Sequence, residues 1–129
     1  MAAIKTYTDI SQSKTLSKIL PLESADMFYD GVQDLYKEKV YNIPIDGSSI
    51  TVRTGHTITK KGVKANLLLP CWSLAALLGV IPNYKLSSEH NYHTCTAETN
   101  FGKESVGWYD NPIDACVKMI EKLNELKML

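Results

Sequence analysis

Between Leu69 and Pro82 the chain reads LPCWSLAALLGVIP, an apolar stretch with a tryptophan beside a cysteine and Ser73 as its one polar side chain. A helix with no polar face is normally buried, and an exposed apolar patch of this size is rare on a soluble monomer. The stretch therefore predicts a short buried helix near 71–79. Pro70 can begin it, Gly79 can take the left-handed position after its last turn, and Pro82 bars its continuation. Trp72, Leu74, Leu77 and Leu78 become core candidates, and the rest of the chain must supply elements to cover them. With 129 residues it is long enough to do so without metal or disulfide staples.

The clearest of those elements closes the chain. Asn111 caps a helix, Pro112 occupies its first position and Asp114 sits at the positive end of its dipole, so the sequence predicts a helix over 112–127. Ile113, Cys116, Val117, Ile120 and Leu123 form its inner stripe. Lys118, Glu121, Lys122 and Glu125 lie outside, with Lys122 and Glu125 spaced to pair weakly. This stripe and the buried helix are expected to meet in one cluster of Trp72, Leu74, Leu77, Leu78, Ile113, Val117 and Ile120. At the other end, DISQSKTLSKIL (9–20) reads as a helix with Asp9 and Gln12 as a capping box and Pro21 as its stop. Ile10, Leu16, Ile19 and Leu20 give it a narrow apolar stripe.

The middle of the chain changes period. The segment ESADMFYDGVQDLYKEK reads either as a short helix or as a surface loop. VYNIPI, interrupted by Pro44, is an edge strand at best. From Ile50 to Ile58 and from Val63 to Leu69, apolar and polar residues alternate, which predicts a hairpin with Lys60, Lys61 and Gly62 in its loop. Tyr84 to Tyr109 holds two or three short strands with a turn at Asn100-Phe101-Gly102-Lys103. The expected fold is α+β, a single domain over 1–129. It has an antiparallel sheet of about four or five strands and a hairpin insertion around 40–69.

Three blocks, ILPLESADM, PCWSLAALL and YDNPIDACVKMIEKLNELKML, resemble a family of small uncharacterised proteins encoded in mobile elements and phage-like regions of gut anaerobic bacteria. The resemblance implies helices packed on a small antiparallel sheet, in a cytoplasmic accessory protein of a prophage or conjugative element. It implies no activity, cofactor or catalytic residue.

Composition narrows the function classes. Lys and Arg number 14 and so do Asp and Glu, and this neutrality argues against a dedicated nucleic-acid binder. No apolar run reaches the roughly 18 residues of a membrane span. The N-terminus turns polar too early for a secretory signal. Cys71, Cys95 and Cys116 are an odd set without CxxC spacing, which reads as three reduced thiols in a cytoplasmic protein.

The candidate chemistry is thin. His90, His93 and Cys95 lie close in sequence, but an extended strand turns only His93 and Cys95 to one face, short of a tetrahedral zinc site. Cys71 near a helix start could feel the dipole, yet its apolar neighbours raise a thiol's pKa. Cys116 reads as a small core residue. Glu23, Asp26 and Asp30 fit one side of a helix, as a solvated acidic face does. No phosphate loop, HExxH or serine elbow is present. The expectation is a non-enzymatic protein-binding adaptor or regulator without catalytic residue, cofactor or metal. Its candidate partner-binding residues are Phe28, Tyr29, Tyr36 and Tyr41, since exposed aromatic rings anchor interfaces. The alternative is a nucleic-acid-binding module that touches phosphates through Lys60, Lys61 and Lys64 at the hairpin tip.

A buried Trp72 makes Trp72→Ala expensive, about 3–5 kcal/mol. Chemical denaturation of the variant measures this directly, and a loss below about 1 kcal/mol would contradict the core assignment.

Overall fold

Asp9 starts the first helix as the sequence predicts. Its carboxylate accepts the Gln12 N–H at 2.7 Å, and the Gln12 side chain accepts the Asp9 N–H at 3.1 Å. This satisfies two donors that the first helical turn leaves without partners. The helix, α1, spans Ile10–Ser17. The computed structural model describes residues 5–30, 33, 34, 41, 42, 51–54 and 68–129. Within it the chain forms two compact units, one of residues 9–73 and one that joins the N-terminus to residues 74–129. Each has its own helices and antiparallel strands, an α+β architecture.

In the 9–73 unit, a 3₁₀ turn over Leu22–Ser24 leads into β1, Met27–Asp30. This corrects the reading of that segment as a helix or a loop. Only four residues long, β1 is too short to show a period, yet it is the central strand of its sheet. β4 (Thr51–Thr54) and β5 (Leu68–Cys71) both pair with it antiparallel. Tyr29 stands between Val52 and Leu69, and Phe28 between Arg53 and Pro70. Of the hairpin expected between 50–58 and 63–69, the described ends 51–54 and 68–69 flank β1 instead of pairing with each other, and the rest, its loop included, lies outside the described residues. Alternation reports that a segment is extended, not which neighbour it pairs with. Pro70, expected to begin a helix, instead lies in β5 at the sheet edge, where a missing donor is tolerated. A separate ribbon pairs β2 (Gln33–Asp34) with β3 (Tyr41–Asn42). α1 packs on β5, with Leu16 and two small residues, Ser13 and Ser17, buried. Leu20, Ala25, Tyr29, Leu69, Cys71 and Trp72 are also buried in this unit.

The end of β5 is tied to the turn before β1 by polar bonds. The indole N–H of Trp72, itself 0% exposed, donates to Ser24 Oγ at 3.0 Å, and the Ser24 hydroxyl donates in turn to the Pro21 carbonyl at 2.6 Å. Asp26 receives both the backbone N–H of Ser73 (2.9 Å) and its hydroxyl. A buried indole without such an acceptor would lose its hydration with no compensation.

The second unit begins with α2, Leu74–Val80. Here the sequence reading needs two corrections. Only Leu77 is fully buried, whereas Leu74 and Leu78 are half-buried. The helix also runs through Gly79 to Val80, and a left-handed residue comes only at Asn83, φ 43°. Ala75 and Gly79, one turn apart, are the exposed positions, so the helix shows water very little side chain despite its composition. Of the seven residues expected to cluster, Leu77, Ile113, Val117 and Ile120 are buried on α2 and α3, which pack together, and Trp72 is buried in the 9–73 unit.

Strands β6 (Lys85–Glu89), β7 (Tyr92–Thr99) and β8 (Gly102–Ser105) then form an antiparallel meander. His90 and Asn91, at φ 50° and 68°, make the two-residue turn between β6 and β7. Both in the left-handed region, they give the backbone twist that two-residue hairpins favour. His90 is thus in a turn, not in the extended strand the sequence suggested. The turn predicted at Asn100–Lys103 is present. Gly102 adopts φ +120°, and Thr99 Oγ1 receives the Phe101 N–H at 3.1 Å while donating to the Gly102 carbonyl at 3.0 Å. The C-terminal helix α3 spans Pro112–Glu125, capped by Asn111, whose side chain receives the Asp114 N–H at 2.8 Å. The whole predicted stripe is buried, joined by Ala115 and Met119. Lys122 does not pair with Glu125; it reaches Glu104 (3.3 Å) and the Ser105 carbonyl (2.8 Å).

Gly79 sits inside an exposed stretch of helix, and a Cβ built there meets nothing within 4 Å. Gly79→Ala is expected to raise stability by about 0.5–1 kcal/mol. The measurement is the midpoint of a denaturant titration, and a lowered midpoint would show that this position needs glycine.

Candidate functional site

Alternation along β7 divides its side chains between two faces. Cys95 and Ala97 are buried on the face that α3 covers. Tyr92, Thr94, Thr96 and Glu98 point to the other side. The strand register extends that outer face to Lys85, Ser87 and Glu89 of β6 and to Lys103 and Ser105 of β8. Of these residues only Thr94 is buried, and its hydroxyl donates to the Val106 carbonyl at 2.9 Å. Downstream, Tyr109 exchanges two backbone hydrogen bonds with His93, at 2.6 and 2.8 Å. Tyr109 lines a groove against α3. One residue earlier, outside any strand, stands Trp108. Tyr92 is 53% exposed and Trp108 50%.

The outer face thus carries the Tyr92 ring at the end of the sheet where β6 turns into β7, and the exposed Trp108 ring stands next to the Tyr109–His93 bridge. Its charged residues balance, Lys85 and Lys103 against Glu89 and Glu98. At the opposite end Phe101 projects from the β7–β8 turn, 84% exposed. The groove between Ser105–Tyr109 and α3 has a volume of about 370 Å³. Its lining holds Lys118, Glu121, Lys122 and Glu125, with Lys118 paired to Glu121 at 3.4 Å and Lys122 to Glu104. The lysines there are already matched, so no cationic cluster converges on a ligand.

The candidates from the sequence separate accordingly. Tyr29 is 7% exposed and packs inside its unit, so it offers no surface ring. Phe28 is half-buried. Tyr36 lies outside the described residues, and Tyr41 is described only as part of β3. Lys60, Lys61 and Lys64 also lie outside the described residues. Asp26 is engaged with Ser73, not with a second carboxylate. His90 stands almost fully exposed in its turn, while His93 shares a 2.8 Å hydrogen bond with Ser88 and Cys95 is buried. Among the described residues no three His, Cys, Asp or Glu side chains are grouped to hold a metal ion, and no helix is long and apolar enough to cross a membrane.

All three cysteines are buried thiols. The Cys95 thiol donates to the Thr96 carbonyl at 3.8 Å, and the influence of the Cys116 side chain holds it below its ordinary range against the opposing effect of burial. The influence of Cys95, together with burial, pushes Cys116 far up. Sequence reasoning missed this pair because the two residues come from different elements, and it missed Tyr92 and Trp108 because strand aromatics read equally as core. No protein-family model, curated protein or solved structure matches the chain.

The two tryptophans report their settings independently. Trp108→Phe leaves only the buried Trp72, so its emission is expected at shorter wavelength and resistant to iodide. Trp72→Phe leaves the half-exposed Trp108, with red-shifted, quenchable emission. Similar quenching in both variants would contradict the exposed position of Trp108.

Proposed function

We propose that this chain is a non-enzymatic binding module, an adaptor or regulator that docks another protein on the outer face of the β6–β8 sheet. Tyr92 and Trp108 serve as its anchors. One observation carries the reading: α3 covers one face of the sheet, while Tyr92 on the other face and Trp108 beside the Tyr109–His93 bridge both stand half in water. Such rings supply apolar contact area at little conformational cost, and tyrosine and tryptophan are enriched among residues that dominate interface energies. The partner-binding role moves from the 28–41 segment to this surface because Tyr29 is consumed by its own unit.

The charge balance of the face favours a protein over nucleic acid as the partner. Two lysines offset by two glutamates give a phosphate backbone no net attraction, and that attraction supplies most non-specific nucleic-acid affinity. In the setting that the sequence resemblance implies, the module works in the cytoplasm as an accessory protein of a mobile element, and its partner is a protein of that element or of its host.

The test is affinity capture from host lysate by the tagged full chain, with and without nuclease, beside a Tyr92→Ala/Trp108→Ala variant. A stoichiometric protein that survives nuclease and falls at least tenfold on the double variant is the expected result. Equal capture by both chains would remove the aromatic face from the account. Capture that vanishes with nuclease would transfer the function to nucleic acid.

A further inference from the structure

The two borders of the β6–β8 sheet are not equivalent. On the β8 side Lys122 donates to the Ser105 carbonyl at 2.8 Å. β6 forms the other border, and among the described residues it pairs with β7 alone. Its sequence is Lys85-Leu86-Ser87-Ser88-Glu89. Proline and inward-pointing charge, two devices that keep an edge from pairing, are absent from it. The direction of its backbone groups follows from the register. His93 exchanges both its backbone hydrogen bonds with Tyr109, on the side of β7 away from β6. Opposed residues of an antiparallel ladder alternate between those that exchange hydrogen bonds and those that do not. Ser88, opposite His93, is of the second kind, and so is Leu86, opposite Cys95. Both turn their N–H and C=O to the open border, where no described residue bonds to them.

The charges of β6 are complementary to their own reversal. Lys85 and Glu89 sit at its two ends, both exposed and both on the outer face. We propose that the β6 edges of two copies pair antiparallel about a two-fold axis at Ser87, joining two three-stranded sheets into one. Leu86 of each copy then exchanges backbone hydrogen bonds with Ser88 of the other, so the open groups of both strands are satisfied together. Lys85 of each copy faces Glu89 of the other. Both charged pairs fall at non-hydrogen-bonded positions, where side chains stand closest, and opposite charges there stabilise a sheet. The register is selective. Sliding by two residues sets serine against Lys85 or Glu89, and a parallel pairing in register sets like charges side by side. Neither charge has a strong claim on it already. Lys85 has no ion-pair partner among the described residues, and Glu89 has the His90 ring at 3.7 Å, which is charged only when protonated. So short an edge buries little surface, which makes the association a reversible one. It requires no other partner, and it places Tyr92 of both copies on one side of the joined sheet.

Sedimentation equilibrium of the full-length chain from micromolar to millimolar concentration tests the pairing. The expected mass rises from 14.4 kDa toward twice that value. Lys85→Glu and Glu89→Lys each set like charges together at both ends of the paired strands, and each is expected to weaken the dimer at least tenfold. Both side chains are exposed, so the fold tolerates the exchange. An equimolar mixture of the two variants discriminates best, because opposite signs face each other again and a one-to-one heterodimer should return. The double exchange K85E/E89K should likewise restore the homodimer. A wild-type chain that stays at 14.4 kDa throughout would overturn the proposal. So would a dimer that either single variant leaves intact, or a mixture that stays monomeric. An assembly that grows beyond two copies would also overturn it, since a two-fold contact closes on itself.

Discussion

The covering of one face of the β6–β8 sheet by α3 is the constraint from which the C-terminal unit follows. A sheet with one apolar face must bury that face against another element. α3 supplies what is missing by burying seven side chains along its inner stripe, and β7 answers with Cys95 and Ala97. Small residues on the strand let the helix approach closely, and the larger volume comes from Ile113, Met119, Ile120 and Leu123 on the helix. Polar contacts then fix the helix at both ends. Near its start Asp114 is held by Lys5 at 2.9 Å, and toward its end Lys122 is held by Glu104 and Ser105 of β8. Once one face is sealed in this way, whatever the sheet offers to other molecules must lie on the opposite face, along its edges or at its turns.

The 9–73 unit is organised by a different device. Its central strand is four residues long, and its edge strands come from distant parts of the sequence. Apolar burial alone specifies little in so short a sheet, because sliding by one residue exchanges its faces. The bonds from Trp72 to Ser24 and from Ser73 to Asp26 act on the register directly. They join the residues just before β1 to those just after β5, so a slipped pairing of these strands would leave a buried indole and a carboxylate without their partners. A polar bond of this kind adds modestly to stability but strongly disfavours the alternatives.

What could be read from the sequence was whatever has a local cause. Asp9 with Gln12, and Asn111 with Pro112, announce helix starts because the capping bond is made within three residues. The stripe of α3 is visible because it repeats over four turns. Trp72 was legible as core from its neighbours alone. The same reasoning missed β1, since four residues carry no period and its strand character comes from its two neighbours. It overestimated the burial of Leu74 and Leu78 because it counted apolar residues without weighing that Ala75 and Gly79, which face water, are small. The candidate surface was the least legible part. Tyr29 and Tyr92 are the same residue type in similar strands, and only the packing of the opposite face decides which ring stays in water.

The seat of Lys122 has a consequence for how the molecule keeps company with itself. β8 is the last strand of its sheet, and a bare last strand is a template on which another chain can stack its backbone. Lys122 lays its ammonium on the Ser105 carbonyl and anchors it there with Glu104, so a backbone acceptor on that border is already taken by a charge. A second copy seeking to extend the ladder would have to strip a cation from a carbonyl and a carboxylate before making its first bond. The charge withholds one acceptor of the β8 border from a second copy, a local protection that a chain of zero net charge does not get from long-range repulsion.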